Sequence, residues 1–105
     1  MFASIRTYHF DSGNVDDLMR EVESSLVPAL SKAPGYQGHY EIVAGDGSIV
    51  SITGVLERGQ LRELNEIAQR WAHEHLHRFK AHRIEASEGE VRVVSRAPSA
   101  ARRSG

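Results

Sequence analysis

The residues with the most capacity for chemistry are concentrated in Trp71-Ala72-His73-Glu74-His75-Leu76-His77, where three histidines alternate with other side chains. On a strand all three imidazoles would share one face and form a metal-ligand set, whereas on a helix successive members point about 200° apart. The surrounding period predicts a helix. Leu61, Leu64, Ala68, Ala72, His75, Leu76 and Phe79 recur at three and four residues from Gln60 to about Lys80. His73 and His77 then make an i,i+4 surface pair, and without a His-Glu-x-x-His order the zincin template fails, so no metal site is expected. His75 projects from the apolar arc, where an imidazole partly withdrawn from water titrates near neutrality and suits a general base. Asn65 and Trp71 flank the arc, as an amide donor for a developing oxyanion and an aromatic wall. The small Ala68 and Ala72 between them leave the volume of a ligand pocket. The competing reading is packing, since a single histidine on an apolar face and a single tryptophan are also ordinary core residues.

Five further polar-tipped residues fall on extended segments and are the expected ligand-binding set: Arg6, Tyr8, Tyr36, His39 and Tyr40. By strand alternation Arg6 and Tyr8 share a face, and Tyr36 and Tyr40 share a face with His39 opposite. Alternation alone leaves open which face meets the helices. The glycines add no phosphate site: Gly45-Asp46-Gly47 is explained by a tight turn, and there is no Walker A loop, dinucleotide fingerprint or Gly-x-Ser-x-Gly elbow.

The elements that must position these residues are read from periodicity. Phe2 to Phe10 reads as a strand closed by Asp11-Ser12-Gly13-Asn14. Val15, Leu18, Met19, Val22, Leu26, Ala29, Leu30 and Ala33 then mark an amphipathic helix, capped by Asn14 and stopped by Pro34-Gly35. Pro28 lies inside it and predicts a kink or break near Ser24 to Ser25. Tyr36 to Ala44 and Ser48 to Leu56 form a hairpin across Gly45-Asp46-Gly47. After the second helix, Arg83 to Ser95 reads as a last strand ending in Val91, Val93 and Val94, with a bulge or turn at Ser87-Glu88-Gly89.

The order β-α-β-β-α-β is the ferredoxin-like arrangement, an α+β fold with two helices on one face of a four-stranded antiparallel sheet. Its strands carry apolar residues on both faces, with Phe2 and Tyr8 opposite Ala3 and Ile5, and Val50 and Ile52 opposite Ile49 and Val55. The uncovered face should therefore pack on a second copy as a homodimer, closing a dimeric α+β barrel. The length of 105 residues provides for one domain, over 1–95, followed by a basic tail, 96–105, expected to be flexible. With 14 acidic residues against 13 Lys and Arg, the net charge of -1 favours neither nucleic acid nor an anionic membrane as partner. There is no cysteine, which excludes disulfides, a thiolate nucleophile and Cys-ligated metals. No apolar stretch approaches a bilayer span and the first residues lack a signal-peptide layout, so the expected location is cytoplasmic.

The element order, the helix ending in Pro34-Gly35-Tyr36, the Ala44-Gly45-Asp46-Gly47 hairpin and the Asn65…Trp71 helix resemble the antibiotic biosynthesis monooxygenase-like superfamily of dimeric α+β barrels. The resemblance spans roughly Met1 to Ser95. It implies a cofactor-independent monooxygenase acting on an aromatic, polyketide-like or quinol small molecule. His75 would be the base, Asn65 the anion-stabilising donor and Trp71 the aromatic wall. The position at which haem-degrading members place their iron-ligating histidine falls at Ala81, next to His82, so haem is not the expected cofactor. The alternative, from another functional class, is a non-catalytic dimeric module that binds a small ligand or only assembles.

Overall fold

The computed structural model describes residues 1–10 and 15–97. The Asn14 cap, the turn at 11–14 and the tail beyond Ala97 lie outside the described residues. Four strands, β1 (Phe2–Phe10), β2 (Tyr36–Val43), β3 (Ser48–Val55) and β4 (Ala81–Glu90), form one antiparallel sheet in the order β2-β3-β1-β4. One face is covered by a helical arm over 15–31 and by a second helix over 61–75, so the fold is the ferredoxin-like α+β arrangement. The β2–β3 hairpin turns at Gly47, whose positive φ of 87° is the backbone state this connection needs. The Asp46 carboxylate accepts the Ser48 amide at 3.0 Å and fixes the same turn.

The helical arm is α1 (Val15–Glu21), a π-helical turn (Val22–Leu26) and α2 (Val27–Ser31). Pro28 has no N–H to give the Ser24 carbonyl, and the expected break near Ser24 takes the form of this π turn rather than a loss of helix. The wider turn solves a register problem. The buried stripe Leu18, Val22, Leu26, Leu30 steps by four, which in a straight α-helix drifts by about 40° per step. A turn of wider period cancels that drift and keeps all four on the sheet. On the second helix, α3 (Leu61–His75), the buried residues are Leu61, Leu64, Ala68 and Trp71, with Leu76 just beyond. Trp71 therefore lies within the buried stripe and not on its flank, because the stripe centres on the 61, 64, 68, 71 line. Ala72 and His75 are only half-buried.

The last strand differs from expectation at both ends. It begins at Ala81 and ends at Glu90, leaving Val93 and Val94 exposed outside the sheet. Ser87, Glu88 and Gly89 pair regularly with Ile5, Ser4 and Ala3, so there is no turn among them. The irregularity is instead at Ile84, between the partners of Thr7 and Tyr8. A second irregularity, at Gln37 between Tyr36 and Gly38, reverses the facing of the rest of β2. Tyr36 stands opposite Val55 and packs on the core, while Tyr40 stands opposite Ile52 on the uncovered face, 69% exposed. The expectation that Tyr36 and Tyr40 share a face is thus corrected by one extra residue, and it is His39 that shares the face of Tyr36.

Candidate functional site

Beneath the helices the sheet is not uniformly apolar. Strand β3 alternates Ile49, Ser51, Thr53 and Val55 inward, and all four are buried. The inward residues of β1 beside them are Ser4, Arg6 and Tyr8, and those of β2 are His39 and Glu41. A hydrogen-bonded row runs across the layer through these side chains. Arg6 donates from Nη1 to Ser4 Oγ (3.1 Å) and from Nη2 to Thr53 Oγ1 (3.0 Å). Ser4 Oγ donates to Asn65 Oδ1 (2.6 Å), and Asn65 Nδ2 donates to Glu88 Oε2 on β4 (3.0 Å). In the other direction Thr53 Oγ1 is 2.7 Å from His39 Nδ1, and His39 Nε2 is 2.6 Å from Glu41 Oε1. Ser51 Oγ donates to Glu41 Oε2 (2.6 Å). A carboxylate only accepts, so Nε2 of His39 carries a proton; Thr53, accepting from Arg6, has its own hydroxyl proton free for Nδ1.

Two spaces adjoin this row. An inner cavity of about 20 Å³, room for roughly one water, lies between Arg6, Tyr8, Glu41 and the apolar surfaces of Leu26, Ala68 and Trp71. An open cleft of about 660 Å³ separates α3 from β1 and β4, in the size range of small-molecule sites. Ser4, Arg6 and Tyr8 form its floor, Asn65, Ala72, His73 and His77 its helical wall, and His82, Arg83 and Glu88 its strand wall. Arg6 and Tyr8 line both spaces. Burial lowers the Arg6 pKa from its ordinary value, partly offset by the neighbouring Tyr8 oxygen and by the attraction of Glu41. Burial raises that of Tyr8, so its hydroxyl stays protonated and remains a donor beside the guanidinium.

The expected catalytic residues are not gathered in one place. Asn65 reaches the cleft and Trp71 lines the inner cavity. His75 lines neither. It stacks on the Trp71 indole (centroids 4.9 Å apart, 20° between planes) and places Nδ1 3.1 Å from Glu21 Oε2. Trp71 Nε1 donates to Ser25 Oγ (2.7 Å), and Ser25 Oγ lies 2.8 Å from the Glu21 carbonyl and 3.0 Å from Glu21 Oε2. Arg78 Nη2 completes the cluster at 3.0 Å from Glu21 Oε1. The Ser25 hydroxyl, then Arg78 and His75, hold the Glu21 carboxyl below the usual carboxylate range. The π turn presents Ser25 to the indole, so this group fastens the helical arm to α3. Of the expected ligand-binding residues, Arg6, Tyr8 and His39 belong to the polar row, Tyr36 packs at its end, and Tyr40 is on the opposite face. His73 and His77 both face the cleft, and among the described residues no group of three His, Cys, Asp or Glu gathers as a metal site. Ser4, Glu41, Ser51, Thr53 and Glu88 carry no sequence motif that singles them out. The signal available for two of them is the pair of hydroxyl residues between Ile49 and Val55 at inward-facing positions.

The same chain path occurs in solved oxygenases. A monooxygenase of the ActVA-Orf6 gene of Streptomyces coelicolor, in complex with nanaomycin D, superposes with a TM-score of 0.66 at 15% identity, over 92% of each chain. The fold is that of antibiotic biosynthesis monooxygenase-type proteins. SnoaB from Streptomyces nogalater, a cofactor-independent oxygenase, gives 0.63 at 15% identity over 89% of this chain and 95% of its own. A dimeric ferredoxin-like protein from an uncultured marine organism gives 0.60 at 17% identity, over 90% and 98%. No protein-family model matches the sequence, and neither does any curated protein. At these identities the likeness of the chain to its neighbours is one of fold.

Proposed function

We propose that the protein is a cofactor-independent monooxygenase of an aromatic or quinol-type small molecule, bound in the cleft between α3 and strands β1 and β4. The observation that carries this reading is the cleft itself: about 660 Å³, floored by Arg6 and Tyr8 and walled by Asn65, within an oxygenase-type fold. Its chemistry would start with loss of a proton from an acidic phenol or enol, and the resulting electron-rich carbon reduces O2 directly. For a methylene flanked by aromatic rings, one oxygen atom of O2 stays on the carbon as the ketone, and the other leaves as water with the two methylene hydrogens. The residues supply positioning and electrostatics. Arg6 and the protonated Tyr8 hydroxyl favour the anionic substrate, and Asn65, held by Ser4 and Glu88, lines the helical side. His75 fits a positioning role through Trp71 better than that of a base, because its imidazole faces Glu21. Oxygen consumption by the purified protein with a panel of anthrones and quinols tests the reading. Protein-dependent uptake with one atom of labelled O2 carried into the product supports it; a panel oxidised no faster than in buffer refutes it.

One observation favours a second reading, a non-catalytic ligand-binding or assembly module. Asn65, Trp71 and His75 each commit a polar group to a neighbour within the chain, as packing residues do. In either reading we propose that two copies pair through the uncovered sheet face, where Tyr40, Ile52 and Ile5 follow one another across three strands and Ile42 adds to the row. Among the described residues no helix is long and apolar enough to cross a membrane.

A further inference from the structure

Arg6 is a buried cation whose partners do not match its charge. It is only 4% exposed. Its two terminal nitrogens donate to the hydroxyls of Ser4 and Thr53, with the Tyr8 hydroxyl beside them, all neutral groups, and its Nε has no partner among the described residues. Among the described residues no carboxylate forms an ion pair with it; Glu41 acts on it from a distance, its oxygens committed to His39 and Ser51. A folded chain tolerates a guanidinium in that state at a cost, since a buried charge ordinarily finds a counter-ion and a buried donor an acceptor. The two hydroxyls do not require it. Ser4 already donates to Asn65 and Thr53 has His39 within reach, so each would keep a bond if Arg6 were apolar. What Arg6 does have is a position on the floor of the cleft.

We infer that Arg6 is an anion-recognition residue, and that the cleft selects a small aromatic ligand carrying one acidic oxygen, as carboxylate or phenolate, which completes the partners of the guanidinium. This rests on the cleft being the ligand site but not on turnover, so it stands or falls separately from the oxygenase reading. The surroundings fit the assignment: His73, His77, His82 and Arg83 line the walls above Arg6, against one carboxylate, Glu88, which is held by Asn65. A ligand bound this way would meet Tyr8 as a second donor.

The test compares isosteric ligands and asks what the ligand-free protein does without the charge. In calorimetric titration the wild-type chain should bind 2-naphthoate about tenfold or more tightly than neutral 2-naphthamide, the advantage of a charge-assisted over a neutral hydrogen bond. 4-Nitrophenol, followed by its visible spectrum across its own titration, should show a lowered pKa when bound, which separates phenolate from carboxylate recognition. Arg6→Met should melt no lower than wild type without ligand and should lose the preference for the anion. A preference for the anion retained in folded Arg6→Met, or equal affinity of wild type for naphthoate and naphthamide with no shift of the nitrophenol titration, overturns the inference. If Arg6→Met does not fold, Arg6→Gln and the wild-type selectivity decide: retained selectivity in folded Arg6→Gln overturns it, and lost selectivity supports it.

Discussion

Replacing Glu41 by Gln tests whether the polar row is an ionised, mutually dependent unit. The Glu41 carboxylate accepts from His39 and from Ser51 at 2.6 Å each, and the side chains of His39 and Glu41 are 3% and 13% exposed, so solvent screens little of the interaction. Hydrogen bonds to a charged acceptor contribute about 1.5–3 kcal/mol each, against about 0.5–1.5 kcal/mol for neutral ones. A carboxamide presents one acceptor and one donor where two acceptors stood. Either Ser51 must turn its hydroxyl round, or His39 must move its proton to Nδ1 and face Thr53, whose oxygen already accepts from Arg6. Both rearrangements are available with the loss of charge assistance on two bonds, about 2 kcal/mol in all. For a domain of this size that is a fall of about 10 °C in melting temperature. Urea denaturation with an unchanged slope measures the free energy, and the nitrogen shifts of His39 report its tautomer. A variant within about 0.5 kcal/mol of wild type, with the His39 tautomer unaltered, would refute the account of the row as one coupled network.

Two further outcomes are expected from the structure. Glu21 titrates below the usual range in the folded chain, so its contribution to stability is present above the unfolded carboxyl pKa and is lost as pH falls through the lower folded value; Glu21→Gln should flatten this acid limb of the stability curve, and an unchanged limb would remove Glu21 from the α1–α3 fastening. Tyr40→Glu combined with Ile42→Lys places charge on the exposed row of the uncovered face and should convert a sedimenting dimer to monomer while far-ultraviolet dichroism stays constant; wild type that sediments as a monomer at high concentration, or a double variant that remains dimeric, contradicts pairing through that face.

Element order is legible because the periods are clean: a step of three and four through Leu61, Leu64 and Ala68, and turn residues at Gly45-Asp46-Gly47. The features that escape the sequence are set by single-residue offsets. One extra residue at Gln37 sends Tyr36 inward and Tyr40 outward, and strand alternation has no means of detecting it. The direction of a side chain at the edge of a helical stripe is equally hidden. A period that counts Leu76 and Phe79 into the arc makes His75 central, yet α3 gives way at Leu76 to a 3-10 turn, and the change of pitch breaks the period there. Arg6 is legible as a polar residue on a strand, but its burial depends on β3 supplying Thr53 beside it and α3 reaching Ser4 through Asn65, both distant in sequence.

The two polar systems divide the work of the helical layer between them. The Glu21, Ser25, Trp71, His75 and Arg78 cluster ties the helical arm to the C-terminal half of α3, and it exists because Pro28 forces a π turn that offers Ser25 to the indole. The N-terminal half of α3 is tied instead to the sheet, by Asn65 to Ser4 and Glu88. Beside the C-terminal anchor Ala72 faces the cleft with a side chain too small to close it, so the space between α3 and β4 stays open above Arg6. A larger apolar residue at 72 would contribute hydrophobic burial that the chain forgoes. The position is better explained by the space it leaves over a buried cation than by packing.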